Sequence, residues 1–271
     1  MTSSIKELIK NRKSVRTFNN IAISDEDLKK LQEYIDTLKN PFDADITFRL
    51  LDAKTYKLSS PVIVGEKAYL AAKVKTEGHF EIAYGYSFEK ACLYALSLNI
   101  GTVMLAASLD RKSFEKAMDL QEDEVLPTAS PIGYPADKRS VRDSLMRKGL
   151  KADERMPFEE LFYDGSFDRA ITKDSAGDFR EALEMLMLAP SATNRQPWRA
   201  VISGNKVHFY EYQTLKESEL GDIQKVDVGA ALAHFDMTME ENGYEGTFVF
   251  NDPGIAVPDK MAYIVTYERK A

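Results

Sequence analysis

The chain has 271 residues, of which 36 are Lys or Arg and 43 are Asp or Glu, so its formal net charge is −7 at pH 7. At about 150 residues per domain, this length predicts two units or one large one. The apolar share of 44% excludes a disordered protein. A lone cysteine, Cys92, excludes a disulfide scaffold and a cysteine-based zinc site, and it favours the reducing cytoplasm. The histidines are not spaced as metal ligands, so no metal site is predicted, and the acidic balance argues against nucleic acid as a partner.

One uncharged stretch, residues 91–109, is long enough to raise the question of a membrane helix. Polar residues interrupt it, and the Asn-Ile-Gly run that ends at Gly101 is a helix-ending signal. We interpret it as the end of a buried helix, a turn at Gly101 and a strand over 102–106. We therefore expect neither a membrane span nor a secretory segment at the amino terminus.

Helices and strands alternate through the first half. Ser4 with Glu7 forms a capping box that predicts a short helix from Ile5. Ser24 repeats the signal for an apolar-striped helix that ends at Asn40-Pro41. Strands are predicted over 46–51, 61–64 and 128–134, helices over 88–100 and around Phe114, and a connector or surface helix over 138–155.

A similar order of elements then begins again. Phe158-Glu159-Glu160-Leu161 resembles Ile5-Lys6-Glu7-Leu8. Helices are predicted around Phe179 to Met187 and over 228–242, and strands over 199–203, 206–212, 246–251 and 261–267. This order indicates an internal duplication with a period of about 150 residues, which is too long for a solenoid. We predict two halves, 1–150 and 151–271, fused as a pseudo-symmetric dimer in one chain.

Three polar segments are candidates for a binding site. Arg12-Lys13-Ser14-Val15-Arg16 is an array of donors that suits phosphate or the N1/O2 edge of a flavin, although a solvated basic loop remains the alternative. The segment 189–198, "APSATNRQPW", is held rigid by two prolines and offers polar groups to a ligand; a helix-ending turn is the alternative. The segment 131–142, "PIGYPADKRSVR", adds cations that complete a phosphate site or form a solvated linker.

Together, "RKSVRTF", "APSATNRQPW" and "PIGYPADKR" resemble the signatures of FMN-dependent nitroreductases and flavin reductases. The resemblance implies an α+β, nitroreductase-like fold, duplicated here as a pseudo-dimer. In an ordinary member of that family the basic cluster and the Pro-Ser loop lie close together in sequence. In this chain the first half has Lys39–Ala44 in place of the loop, and the second half has Gly165–Arg169 in place of the basic cluster.

This complementary loss implies one complete flavin site per chain, because the family binds FMN between subunits. By resemblance, Arg12 contacts the phosphate, with Lys13 beside it, Ser14 contacts the ribityl chain and Arg16 contacts the N1/O2 edge. The resemblance also implies contacts from further residues of both halves. These are Ala107 and Ser108 near flavin N5, Arg139 and Arg142 near the phosphate, and Pro190, Ser191, Asn194 and Gln196 from the second half.

The resemblance implies an oxidoreductase in which NAD(P)H reduces FMN and a small-molecule acceptor, such as a nitroaromatic, a quinone or a flavin, then oxidises it in a ping-pong cycle. The flavin carries the chemistry, so no catalytic side chain is required. The main alternative is a flavin-binding protein without nicotinamide-dependent turnover. A decayed site without cofactor and a specialised reaction such as dehalogenation also stay open. We expect a pseudo-dimeric monomer, and further oligomerisation is not excluded.

Overall fold

A computed structural model describes residues 3–270. In the first half the helices are α1 (Ile5–Asn11), α2 (Asp25–Thr37), α3 (Ala53–Tyr56), α4 (Phe80–Ser97) and α5 (Arg111–Ala117). The strands are β1 (Thr47–Asp52), β2 (Ala68–Lys75), β3 (Gly101–Thr102), β4 (Glu124–Val125) and β5 (Ala129–Gly133). Helix α6 (Val141–Gly149) connects the halves.

In the second half the helices are α7 (Arg180–Leu186) and α8 (Ile223–Glu241), with short 3₁₀ turns at Phe158–Glu160, Lys173–Phe179 and Ala192–Asn194. The strands are β6 (Phe162–Asp164), β7 (Ser166–Ala170), β8 (Trp198–Ser203), β9 (Lys206–Tyr212), β10 (Gly246–Val249) and β11 (Met261–Arg269). None of the helices within residues 3–270 combines the length and apolar character of a membrane span.

Each half forms its own sheet. The first has the strand order β1-β2-β5-β3, with β4 paired to β2, and the second has the order β10-β11-β9-β8-β6-β7. β6 and β8 run parallel. The pairs β8–β9, β9–β11 and β11–β10 are antiparallel. The chain is thus α+β, as predicted, and each sheet is built without strands from the other half.

Two long helices, one from each half, cross at the centre. A Cβ on Gly85 of α4 would lie 1.9 Å from the Val226 carbonyl oxygen, and one on Gly229 of α8 would lie 2.2 Å from the Ile82 carbonyl oxygen. Each glycine therefore lets the backbone of the other helix come close. In both cases the residue that it meets lies three positions before the glycine of that other helix. Such reciprocal contact is what a two-fold-related pair produces. The core beside this crossing also mixes the halves, since Phe42 packs in the same cluster as residues of the second half.

Most predicted elements form, and their errors have physical causes. The first two predicted helix starts are confirmed, with Ser4 and Ser24 accepting the backbone N–H groups of residues 7 and 27. The predicted strand over 61–64 is wrong, because it contributes only a single bridge from Val64 to Thr17. The predicted strand over 102–106 ends at Thr102. β2 was missed because it is Ala-rich and buried along most of its length, so its sequence does not alternate.

Candidate active site

The basic segment is fixed along the edge of the first sheet. The Val15 N–H donates to the Thr102 carbonyl oxygen at 2.9 Å, and Ser14 forms a parallel bridge with Thr102. Val15 packs into a small apolar cluster, and a Cβ on Gly101 would approach its side chain to 2.8 Å. Because successive residues of an extended segment face opposite ways, burial of Val15 leaves Ser14 and Arg16 on the other side.

The Pro-Ser loop between α7 and β8 carries backbone strain. Thr193, Asn194 and Gln196 all have positive φ, at 50°, 58° and 51°. This conformation is uncommon for residues other than glycine, above all for a β-branched one, and it costs about 1–3 kcal/mol per residue. The Ala192 N–H donates to the Asp227 carboxyl at 2.9 Å, which ties the loop to α8. Strain of this kind persists where the surroundings hold the loop in a functional conformation.

These two segments, far apart in sequence, line one cleft between the halves. A polar lobe of about 100 Å³ is lined by Arg12, Lys13, Ser14, Arg16, Pro190, Ser191 and Asn194, among others. An apolar lobe of about 320 Å³ shares Ser14, Arg16, Pro190 and Ser191, and it also contacts Ala107 and Ser108. The larger lobe alone reaches the lower end of the size range of small-molecule pockets, about 300–1,000 Å³.

The connector closes one side of this cleft. Met146 and Leu150 line the apolar lobe, and Arg147, Asp153 and Arg155 line the polar lobe. Our sequence analysis missed Arg147 and Arg155. The signal for Arg147 is visible in retrospect, because Asp143 and Arg147 stand one helical turn apart, as do Met146 and Leu150, so α6 presents a charged and an apolar stripe to the cleft.

Carboxylates of the chain itself hold several of these cations. Arg16 pairs with Asp143, with 3.3 Å between Nη1 and Oδ1, and the Asp143 side chain is only 2% exposed. Arg147 pairs with Asp153. Burial lowers the pKa of Arg16, and the Asp143 carboxylate opposes that shift. Arg155 forms no ion pair with the described residues 3–270; its guanidinium donates instead to backbone carbonyls and to Asn194.

A buried network from both halves positions Arg12. The Arg12 Nε lies 3.5 Å from Glu89 Oε1 on α4, and that oxygen lies 2.9 Å from Nε2 of His234 on α8. His234 Nδ1 lies 3.0 Å from the Met185 carbonyl oxygen, so this nitrogen carries a proton. His234 is thus a buried structural residue that links α8 to Glu89.

The donors of the polar lobe suit a dianion. Burial lowers the pKa of Arg155, and the pKa falls further because the positive charge of Arg12 repels the Arg155 guanidinium. The Nε atoms of Arg16 and Arg155 are buried without a hydrogen-bond partner among the described residues, whereas the Arg12 Nε faces Glu89. Buried donors normally find partners, and Arg forks match phosphate oxygens. The set of residues therefore fits the phosphate of FMN, and the apolar lobe beside it fits a flat aromatic ring.

Four predicted site residues have other contacts. Gln196 does not line either lobe: its Oε1 accepts from the Met156 N–H at 2.9 Å. Asn194 lines the polar lobe, but its Nδ2 donates to the Lys151 carbonyl at 2.8 Å. Arg142 donates to the Pro61 carbonyl, and the exposed Arg139 lines a neighbouring surface cavity. The structure thus brings together the basic segment, Ala107, Ser108, Pro190, Ser191 and Asn194, and leaves Arg139, Arg142 and Gln196 outside the cleft.

Comparison with known proteins identifies the family. The family described as "Putative TM nitroreductase" matches residues 4–239. A Thermotoga maritima protein solved as a "putative nitroreductase" superposes with a TM-score of 0.62 at 22% identity, covering 98% of this chain and 93% of that one. Comparison with curated proteins gives no match.

Two shorter structures align with part of the chain. A nitroreductase family protein of Clostridium difficile has a TM-score of 0.44 at 13% identity, over 58% of this chain and 95% of its own. An FMN-dependent nitroreductase from the same species has a TM-score of 0.40 at 13% identity, over 49% and 88%. The predicted nitroreductase-like fold is confirmed by the Thermotoga structure and by the family match. Because that match spans most of the chain, the protein belongs to this nitroreductase family of oxidoreductases.

Proposed function

We propose that the protein is an FMN-dependent oxidoreductase that takes electrons from NAD(P)H and passes them to a nitroaromatic, a quinone or a flavin in a ping-pong cycle. The observation that carries this proposal is the single cleft in which the amino-terminal basic segment meets the Pro-Ser loop of the second half. Two features predicted from sequence to share one ligand lie on opposite sides of the same cavity. One of the structural neighbours is itself an FMN-dependent nitroreductase.

In this proposal the phosphate binds in the polar lobe to Arg12, Arg147 and Arg155, with Lys13 at its rim. Ser14 and Ser191 lie where the two lobes join, the position of the ribityl chain. When bound, FMN would supply hydride transfer at its N5 atom. The chain's contribution is to hold the ring, exclude water from it and balance its charge.

Arg16 lines both lobes and is the cation available to the ring. A fixed positive charge beside the N1/O2 edge favours the anionic reduced ring. Asp143 tempers this effect, since its carboxylate already pairs with Arg16. Ala107 and Ser108, which line the apolar lobe, remain our candidates for the contact with N5.

We also propose that the chain is a fused pseudo-dimer of halves 1–150 and 151–271 with one FMN. The reciprocal glycine contacts of α4 and α8 support the pseudo-symmetry. The single cysteine is buried, which suits the reducing cytoplasm that we propose as its location. The partners we propose are small molecules, and nucleic acid is not among them.

A second candidate, a flavin-binding protein without turnover, is favoured by one observation. Met146 and Leu150 of the connector line the apolar lobe, and so they take up one wall of the space that a nicotinamide or an acceptor would need beside the ring. If these side chains leave no room beside the bound flavin, neither substrate reaches it.

The two candidates separate in one experiment. The purified chain is saturated with FMN and titrated with NADH and with NADPH under anaerobic conditions while the flavin absorbance is recorded. Bleaching by either nucleotide, followed by recovery when menadione is added, supports the oxidoreductase. A holoprotein that dithionite bleaches but neither nucleotide does supports the binding protein, and a chain that takes up no FMN contradicts both.

A further inference from the structure

One acidic side chain in the cleft has no part in the function proposed above. Asp227, near the start of α8, lines the apolar lobe and is 7% exposed. Of its two oxygens, Oδ2 accepts the Ala192 N–H of the Pro-Ser loop at 2.9 Å. The carboxyl is therefore held rigidly at the wall of the cavity, beside the loop that we place against the flavin.

We propose that Asp227 is a proton-donating catalytic residue, whose carboxyl gives a proton to an oxygen of the acceptor when bound FMN would supply the hydride. The proposal rests on the function proposed above. Reduction of a quinone to a hydroquinone takes up a hydride and a proton. The bound flavin would supply the hydride to one quinone oxygen. The proton leaves the Asp227 carboxyl and bonds to the other quinone oxygen, and solvent reprotonates Asp227 after the product has left.

The surroundings of Asp227 favour the un-ionised acid. Burial raises the pKa of Asp227 well above its usual range, and the negative charges of Asp222 and Glu211 raise it further, whereas the Ala192 N–H opposes the shift. Glu211 lies on β9 beside Asp222, the N-cap of α8, and both are buried. The cation across the cavity is Arg16, which lines the same lobe and already pairs with Asp143.

The position also matches the demand of the reaction. Val103, Leu105, Ile223 and Val226 make part of the wall of this cavity apolar, and Asp227 is the one carboxyl among the described residues that line it. A general acid at the correct distance contributes about 10²–10⁴-fold to such a step. A carboxyl that is fixed in the wall of this cavity, with a pKa raised by burial, supplies that proton without moving the loop.

The test compares Asp227→Asn with wild type and with a matched control. Asn keeps an oxygen to accept the Ala192 N–H but cannot give up a proton at neutral pH. The control is Asp236→Asn, which replaces another largely buried acid on the same helix; Asp236 accepts from Tyr86 and does not line the cleft. Each FMN-loaded protein is reduced anaerobically by NAD(P)H and mixed rapidly with menadione, which requires a proton, or with ferricyanide, which accepts single electrons and requires none.

We expect Asp227→Asn to slow reoxidation by menadione by at least about 10²-fold, with reoxidation by ferricyanide and FMN retention unchanged. The control variant should match wild type with both acceptors. Equal slowing with both acceptors would assign Asp227 to positioning the loop and overturn the proposal, as would wild-type rates with menadione.

A second readout does not depend on the flavin. In the cofactor-free chain, a neutral Asp227 makes the folded state bind a proton that the unfolded chain releases above the ordinary Asp pKa of 3.8. The folding equilibrium constant of wild type should therefore fall relative to that of Asp227→Asn, by up to tenfold per pH unit, as the pH rises above 3.8. Parallel pH profiles would show an ionised Asp227 and overturn the proposal. Failure to bind FMN would contradict the proposed function and leave this comparison intact.

Discussion

The crossing of α4 and α8 makes Gly229 a position where the smallest substitution, to alanine, should have a large effect on stability. In Gly229→Ala the new Cβ would lie 2.2 Å from the Ile82 carbonyl oxygen and 2.9 Å from the Tyr86 nitrogen, whereas ordinary contact begins at 3.4 Å. Both neighbours are backbone atoms of a helix and cannot rotate away. The helices must therefore separate by about 1 Å at their closest point, which loses contacts along the crossing.

Overpacking of this kind costs about 1–3 kcal/mol in the free energy of unfolding, and we expect the upper part of that range. In a chain of this size that corresponds to a melting temperature lowered by roughly 4–12 °C. Because Val226 and Asp227 lie less than one turn before Gly229 and line the apolar lobe, FMN should also bind more weakly.

The assay is thermal unfolding followed by circular dichroism, with Gly149→Ala as the control. Gly149 is exposed, lies in helix α6 and has nothing within 4 Å of its ideal Cβ. That substitution should be neutral or stabilising by up to about 1 kcal/mol. If Gly229→Ala unfolds at the same temperature as wild type, the close crossing of the two helices is refuted.

Three further predictions concern charge. Arg155→Ala should weaken FMN binding by at least about tenfold, since a charged hydrogen bond contributes about 1.5–3 kcal/mol. The control Arg139→Ala, which lies outside the cleft, should leave the dissociation constant unchanged. Equal effects of the two substitutions in a fluorescence titration would contradict the placement of the phosphate. Arg16→Ala should lower the reduction potential of bound FMN and slow its reduction by NAD(P)H, and an unchanged potential would remove Arg16 from the ring. Burial and the nearby Asp222 raise the pKa of Glu211 to about 7. Because the folded state holds that proton more tightly than the unfolded chain, wild type should lose stability relative to Glu211→Gln as the pH rises from about 4.5 to 7. Urea midpoints of the two proteins that run parallel over this range would contradict the shift.

The first two helix starts were predictable from the sequence because capping residues mark them. The capping box at Ser4 and the N-cap at Ser24 fixed the first two helix starts, because the capping contact lies within four residues of sequence. α4 begins at Phe80, eight residues before its predicted start, because its N-cap His79 makes no capping hydrogen bond. α8 also begins five residues early, at Ile223, although the Asp222 side chain caps it by accepting the Gln224 N–H. Both helices are buried on most sides, so their sequences lack the stripe that marks a surface helix.

The cleft was predictable only in part, because its two sides come from different halves. The basic segment and the Pro-Ser loop are dense in polar residues, and their types indicate a ligand. Their meeting depends on the crossing of α4 and α8, which no local pattern encodes. The connector shows most clearly what the sequence leaves undecided. Arg147 and Arg155 line the polar lobe. The exposed Arg139 and Arg142 carry the same charge in the same segment, and the fold places them outside the cleft.

The central claim is that the two halves of the chain bind a single flavin between them. The most direct measurement is a titration of the cofactor-free protein with FMN, followed by the quenching of flavin fluorescence, at protein concentrations well above the dissociation constant. The account predicts a sharp endpoint at one FMN per chain, lost both in Arg12→Ala and in Ser191→Ala. An endpoint at two FMN per chain, or an endpoint unaffected by either substitution, would contradict it.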